Sequence, residues 1–215
     1  MVVSTKICGL NTLESVDAAV AGGADFIGIV FYPPSPRYVA LNEAARLVRD
    51  VPSEITKVGL FVDATDANIS EVLSAVDLDM LQLHGNETPK RIAYLRETFG
   101  RTIMKAIKVE NKPDITTAEM FDSSADWLLF DAKPPKDMTG ALPGGNALAF
   151  DWRLLEGRSW KKPWMLSGGL TSENVSDAIS ISGALTVDVS SGVEDSPGHK
   201  SSSKIQEFLG TTKAL

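Results

Sequence analysis

Eight short runs rich in apolar and β-branched residues, separated by stretches with helical signals, predict a single-domain (β/α)8 barrel, a TIM barrel. Their starting points lie between 21 residues (164 to 185) and 37 residues (127 to 164) apart. Such gaps are too long for hairpins and suit one crossover helix each. The runs are also near-continuously apolar rather than alternating, as expected of parallel strands covered on both faces. A doubly wound sheet is the runner-up, but no G-x-G-x-x-G or G-x-x-x-x-G-K-[ST] follows any run.

The elements follow in order. The first strand is Val3–Cys8, and Asn11-Thr12-Leu13-Glu14 resembles a capping box opening a helix through Val16, Ala19 and Val20. The second, third and fourth strands are Phe26–Phe31, Lys57–Val62 and Met80–His84. Thr88-Pro89 then offers an N-cap followed by proline at the first helical position. The fifth and sixth strands are Thr102–Val109 and Trp127–Asp131, and Trp164–Ser167 is the seventh. Thr171 is placed to cap a helix through Val175, Ala178 and Ile179, and Leu185–Ser190 is the last strand. No linker, low-complexity segment or internal repeat interrupts the series, so residues 1–215 read as one catalytic domain.

Composition narrows the class. A domain of 215 residues buries roughly 70–75% of its unfolded surface, and a hydrophobic content of 43% supplies an ordinary core. The one cysteine rules out an intramolecular disulfide and fits a reducing compartment, the cytoplasm. There is no apolar run of membrane-spanning length, and Met1-Val2-Val3-Ser4-Thr5-Lys6 leads into a strand, not a secretory signal. A net charge of −7 argues against nucleic acid and anionic membrane as partners. It leaves room for a small anionic substrate, because a screening length of about 8 Å lets local positive groups decide what a pocket binds.

Polar residues gather after the strands: Cys8-Gly9, Pro33-Pro34-Ser35-Pro36-Arg37, Asp63, His84-Gly85-Asn86-Glu87, Asp131-Ala132-Lys133, Ser167-Gly168-Gly169 and Ser190-Ser191-Gly192. In a barrel this end is the active-site face. Cys8 alone reads as a small buried hydrophobe. Asp131, ending another strand on the same face, turns the two into a candidate acid–base pair. Gly168, Gly169, Ser190, Ser191 and Gly192 occupy the loops after strands seven and eight, where backbone N–H groups and a helix N-terminus take up a phosphate. Arg37 sits on a proline-stiffened loop, and its planar fork suits a carboxylate. Gln82 and His84, two apart on one strand, face the mouth together. With two histidines, one cysteine and no H-E-x-x-H, a dedicated metal site has little support.

Set side by side, Lys6-Ile7-Cys8-Gly9, Phe31-Tyr32-Pro33-Pro34-Ser35-Pro36-Arg37-Tyr38-Val39, Gln82-Leu83-His84-Gly85, Phe130-Asp131, Leu166-Ser167-Gly168-Gly169-Leu170 and Val187-Asp188-Val189-Ser190-Ser191-Gly192-Val193-Glu194 resemble the motifs of the phosphoribosylanthranilate isomerase family of tryptophan biosynthesis. The match runs from Lys6 to the C-terminal helix, in order. The resemblance implies a (β/α)8 fold and a cofactor-free Amadori rearrangement of N-(5-phosphoribosyl)anthranilate, an aminoaldose, to the 1-deoxyribulose 5-phosphate derivative, an aminoketose. It implies Cys8 as general base, Asp131 as general acid and Arg37 as partner of the anthranilate carboxylate. Phosphate falls to the loops after strands seven and eight, and Gln82, His84 and Asp188 join Arg37 as substrate-binding candidates. The base must be a thiolate, and Lys6, two residues back on the same face, supplies a positive charge unless Asp188 neutralises it. The segment 143–147 departs from the family pattern with Asn146 and Ala147, in place of threonine and of glycine or another small residue. Near the C-terminus His199 and Ser201 replace an aliphatic residue and an aspartate.

Two other readings compete. The histidine-pathway Amadori isomerase uses aspartate in both catalytic roles, which Cys8 speaks against. A catalytically silent barrel would have no use for Cys8, Asp131, Arg37 and two phosphate loops together. No heptad or strongly apolar surface stretch is visible, so the expected state is a monomer, with a homodimer left open.

Overall fold

A computed structural model describes residues 3–135, 138 and 141–215; Met1 and Val2, the lead into the first predicted strand, lie outside them. Eight strands close into a parallel barrel in sequence order: β1 (Ser4–Cys8), β2 (Phe26–Val30), β3 (Thr56–Phe61), β4 (Met80–Leu83), β5 (Thr102–Val109), β6 (Trp127–Ala132), β7 (Trp164–Leu166) and β8 (Thr186–Val189). All eight predicted strands are present. At three ends where a predicted run overshoots, the extra residue still makes a ladder-like bond: Phe31 N–H donates to Leu60 O at 2.9 Å, His84 N–H to Phe61 O at 2.8 Å, and Ser167 N–H to Phe130 O at 2.8 Å. The polar side chains at the strand ends are therefore held as rigidly as strand residues.

Every strand is buried on both faces, and the two faces see different cores. Inside the barrel, Phe26, Val58, Met80, Met104, Ala106, Leu129 and Met165 pack with Trp127 and fill its N-terminal half. Phe26 and Trp127 meet edge to face, with centroids 5.6 Å apart. The alternate positions, among them Ile7, Ile27, Ile29, Leu81, Ile103, Leu128, Phe130 and Val187, pack outward against the helices. This double burial is why the strands read as continuous apolar runs.

Among the described residues the α-helices are α1 (Leu13–Ala21), α2 (Leu41–Val48), α3 (Asp66–Ala75), α4 (Pro89–Phe99), α5 (Lys112–Thr117), α6 (Val175–Ser182) and α7 (Ser202–Lys213). Thr88 caps α4 by accepting from Arg91 N–H, with Pro89 at its start, as predicted. Three expectations need correction. The box at α1 is formed by Thr12 and Ser15, one residue on from Asn11 and Glu14, because the Ser15 hydroxyl reaches back to Thr12 N–H. Thr171 does not cap α6: a turn intervenes, and Asn174 takes the N-cap position while its side chain bridges Thr171 N–H and Gly169 O. Among its described residues the longest crossover, between β6 and β7, holds a 3-10 turn at Trp152–Leu155 and no α-helix. Leu142, Pro143, Gly144, Gly145, Asn146 and Leu148 instead line the barrel mouth.

Three of the family departures have local consequences. Asn146 braces that loop, its side chain accepting from Leu142 N–H at 2.9 Å and donating to Leu142 O at 2.8 Å. Ala147 lies in the left-handed region at φ 56°, the conformation that favours glycine there. Ser201 stands at the N-cap of α7 with its hydroxyl on the Ser203 hydroxyl at 3.0 Å rather than on a backbone N–H, a position an aspartate would fill.

Candidate active site

The C-terminal ends of the strands open onto one cavity with about 720 Å³ of empty space, open to solvent. Cys8, Arg37, Gln82, His84, Asp131, Gly168, Gly169, Asp188, Ser190 and Ser191 all line it. Gly192 does not. It lies where the loops after β7 and β8 cross, and a side chain there would collide with Leu170 O, so its role is close backbone packing.

Below the cavity floor Lys6 is fully buried, its Nζ donating to Asp188 Oδ1 at 2.7 Å; Asp188 Oδ2 accepts from the Ser167 hydroxyl at 2.9 Å. Neighbouring strand positions bring these groups together, since Lys6 pairs with Asp188 and Cys8 with Gly28. Burial works to lower the Lys6 pKa, but Asp188, foremost by its charge and also by its hydrogen bond, holds Lys6 above its ordinary value. Asp188 does neutralise Lys6, the condition under which the sequence offers the Cys8 thiolate little support. Burial pushes the Cys8 thiol up, and the Asp188 charge adds to the rise; Lys6, tied to Asp188, offsets only part of it.

Gly28 makes room for this arrangement. A Cβ there would stand 2.8 Å from Cys8 Sγ and 3.2 Å from Lys6 Nζ. Gly28→Ala is expected to lower stability by about 1–3 kcal/mol through overpacking, read as a fall in melting temperature. An unchanged melting temperature would show that Cys8 and Lys6 have space to spare.

Across the mouth His84 Nε2 lies 3.2 Å from Asp131 Oδ2, and His84 Nδ1 lies 3.0 Å from Gln82 Nε2. Asp131 Oδ1 accepts from Ala132 N–H at 2.9 Å. The loop after β6 presses on this pair: a Cβ on Gly144 would come within 2.6 Å of Asp131 Oδ2 and 2.7 Å of His84 Nε2. His84 is braced from behind by residues the sequence reading missed. Lys105 Nζ, buried on β5, donates to Gly85 O at 2.7 Å and to Glu87 Oε2 at 2.8 Å, while Glu87 Oε1 accepts from Asp63 N–H and Gly85 N–H. A lysine inside an apolar run was the available signal.

The Arg37 fork is already occupied. Its Nε and Nη2 donate to both oxygens of buried Glu194, at 2.7 and 2.8 Å, and Nη2 also reaches Gly145 O at 3.1 Å. Glu194 accepts in addition from Lys200 Nζ at 2.7 Å, and Lys200 donates to Ser190 O at 2.8 Å. Burial raises the Glu194 carboxyl, but Arg37 and Lys200 outweigh that and hold it below the ordinary value. Lys200 is lowered by its burial, which Glu194 only partly offsets. Arg37 thus meets the cavity with Nη1, beside Gly145, rather than with an open fork.

Gly168 and Gly169 both take positive φ, 91° and 62°, which turns the loop after β7 back toward the mouth. β7 and β8 share one paired position, Leu166 with Val187. Among the described residues no group of three or more His, Cys, Asp or Glu side chains is placed to hold a metal ion, and no helix is long and apolar enough to cross a membrane.

The sequence model of N-(5'-phosphoribosyl)anthranilate (PRA) isomerase matches residues 5–211. The N-(5'-phosphoribosyl)anthranilate isomerase of Paramagnetospirillum magneticum is 53% identical over 209 residues, 97% of this chain and 96% of its own length. Among solved structures, the phosphoribosyl anthranilate isomerase of Thermotoga maritima superposes with a TM-score of 0.88 at 36% identity, over 99% of this chain and 100% of that one. A phosphoribosyl anthranilate isomerase in complex with reduced 1-(o-carboxyphenylamino)-1-deoxyribulose 5-phosphate superposes with a TM-score of 0.84 at 35% identity, over 99% and 100% of the two chains.

Proposed function

The chain belongs to the N-(5'-phosphoribosyl)anthranilate isomerase family, and from that premise we propose that Cys8 and Asp131 move the protons of its reaction across the barrel mouth. The activity is the isomerisation of N-(5-phosphoribosyl)anthranilate to 1-(2-carboxyphenylamino)-1-deoxyribulose 5-phosphate, an Amadori rearrangement in tryptophan biosynthesis. The observation that carries the assignment is the placement of one thiol and one carboxyl on β1 and β6, lining the same cavity.

Asp131 gives a proton to the furanose ring oxygen as the C1′–O bond breaks, leaving an iminium ion. The iminium acidifies the C2′ hydrogen, which Cys8 removes to form an enolamine. Tautomerisation then adds a proton at C1′ and takes one from the C2′ hydroxyl, giving the ketone. A buried thiol above its ordinary pKa is a poor base at rest. The positive charge of the iminium favours release of the thiol proton to solvent, so that Cys8 takes the C2′ hydrogen as a thiolate.

Phosphate goes to the loops carrying Gly168, Gly169, Ser190, Ser191 and Gly192, and the anthranilate carboxylate to Arg37. Gln82, His84 and Asp188 serve the substrate indirectly, through the hydrogen bonds they make to neighbours. The reduced 1-(o-carboxyphenylamino)-1-deoxyribulose 5-phosphate bound by the related enzyme is the ligand this cavity is expected to hold. Residues 1–215 act as one catalytic domain, a monomer at working concentration, in the cytoplasm that keeps Cys8 reduced. Sedimentation equilibrium checks the monomer, and a dimer mass would replace it. The reaction itself is tested by the change in anthranilate fluorescence when protein meets the substrate; no change removes the proposal.

Arg37→Ala is expected to raise KM, with an apparent affinity loss of roughly 1.5–3 kcal/mol for a charge-assisted contact. Arg37→Lys should not restore it, because an ammonium cannot hold both oxygens of Glu194 and still face the cavity. Inorganic phosphate should inhibit both variants competitively. Unchanged kcat and KM in Arg37→Ala would leave the arginine a purely structural partner of Glu194.

A further inference from the structure

Gln82, His84 and Asp131 form one buried chain, with Gln82 fully enclosed and the other two 4% exposed. Hydrogen-bond parity couples all three. When the amide NH2 of Gln82 donates to His84 Nδ1, the single ring proton of a neutral histidine lies on Nε2 and is donated to Asp131. Ala132 N–H already donates to the other carboxyl oxygen. Both oxygens then accept, which favours a carboxylate with no proton to deliver.

The opposite amide orientation reverses every donor. Turning the amide exchanges two atoms of nearly equal size, so it requires no extra space. Gln82 Oε1 is buried without a partner in the first orientation. Turned, it accepts from His84 Nδ1–H, and the NH2 group becomes the unpaired end, so the number of orphaned amide groups is unchanged. Nε2 is then a bare acceptor, able to receive the O–H of a protonated Asp131.

We propose that Gln82 is a positioning residue for the acid: in the working enzyme its Oε1 accepts from His84 Nδ1–H, and the resulting tautomer holds the Asp131 proton in place for the substrate. The proposal rests on the reading of Asp131 as general acid. Gln82 meets Asp131 only through His84, and the Gly144 backbone closes the far side of the pair.

The chain has two histidines, so nitrogen-15 NMR of histidine-labelled protein resolves the tautomer directly; His199→Gln assigns the signals. The probe is the complex with reduced 1-(o-carboxyphenylamino)-1-deoxyribulose 5-phosphate. The expected spectrum shows His84 protonated at Nδ1 and bare at Nε2. A ring protonated at Nε2, alone or with Nδ1, overturns the proposal. In parallel, Gln82→Met, of similar length, should lower kcat about tenfold or more, as part of a general-acid contribution of about 10²–10⁴-fold, with KM within about twofold of the parent. A parental kcat overturns the proposal as well. Turnover retained in Asp131→Asn would remove the acid reading itself. An inactive Asp131→Asn beside a parental Gln82→Met would remove the Gln82 proposal alone.

Discussion

Cys8→Ala is expected to fold as the parent does and to lose about 10²–10⁴-fold in turnover, the usual contribution of a general base. Cys8 stands inside the barrel beside Lys6 and Gly28, and losing one sulfur there removes little packing. Because it is the chain's one cysteine, its ionisation can be followed alone. Burial and Asp188 hold the thiol above its ordinary pKa, with Lys6 opposing only in part. Alkylation of the empty enzyme should therefore accelerate with a midpoint above about 8.5. The folded state holds this proton more tightly than the unfolded one. Its contribution to stability is thus complete below the ordinary thiol value and is lost as pH rises through the folded pKa. The parent should lose melting temperature at alkaline pH relative to Cys8→Ala. An alkylation midpoint near neutrality would establish a preformed thiolate, and full activity in Cys8→Ala would return the residue to the core.

The barrel was legible because its strands are buried on both faces, which makes each one a continuous apolar run whose spacing counts the βα units. Helix starts were legible where one side chain suffices, as at Thr88-Pro89. They failed where two candidates compete within one turn. Asn11 and Thr12 are both good caps, and only the position of the Ser15 hydroxyl decides between them. The crossover after β6 misled for a different reason. Its length suggested a helix, but Pro143, Gly144 and Gly145 lead the chain over the mouth and leave a 3-10 turn to return it.

The candidate site was legible as a set of strand-end residues and not as a network. Arg37 and Glu194 lie 157 positions apart, and nothing in local spacing pairs them. The same holds for His84 with Asp131. The charge on Cys8 stays open in the sequence, with Asp188 named as the group that could cancel Lys6, because the two meet only when the barrel closes, β1 against β8. Barrel closure converts a chain-end pairing into the electrostatics of the base. A buried ion pair is nearly neutral at a distance, so Lys6 has little charge left to offer the thiol, and desolvation decides the outcome.

Asp131→Asn should nearly abolish ring opening while leaving the fold intact. The introduced amide can still accept from Ala132 N–H and donate to His84, so the hydrogen bonds around position 131 survive. It cannot release a proton to the furanose oxygen, and turnover should fall by about 10²–10⁴-fold or more. Binding of the reduced open-chain analogue should persist, because Arg37 and the loops after β7 and β8 are untouched. Titration calorimetry with that analogue, beside the fluorescence assay of turnover, separates the alternatives. Lost analogue binding in a well-folded variant would assign Asp131 to holding the ligand. Retained turnover would send the search for the acid to His84 before Asp188. Both Asp188 oxygens are engaged, by Lys6 and Ser167, whereas His84 already points its Nε2 at the carboxyl it would replace. His84→Asn in the Asp131→Asn background would then eliminate the residual rate, and survival of that rate would place the acid outside this chain of side chains altogether.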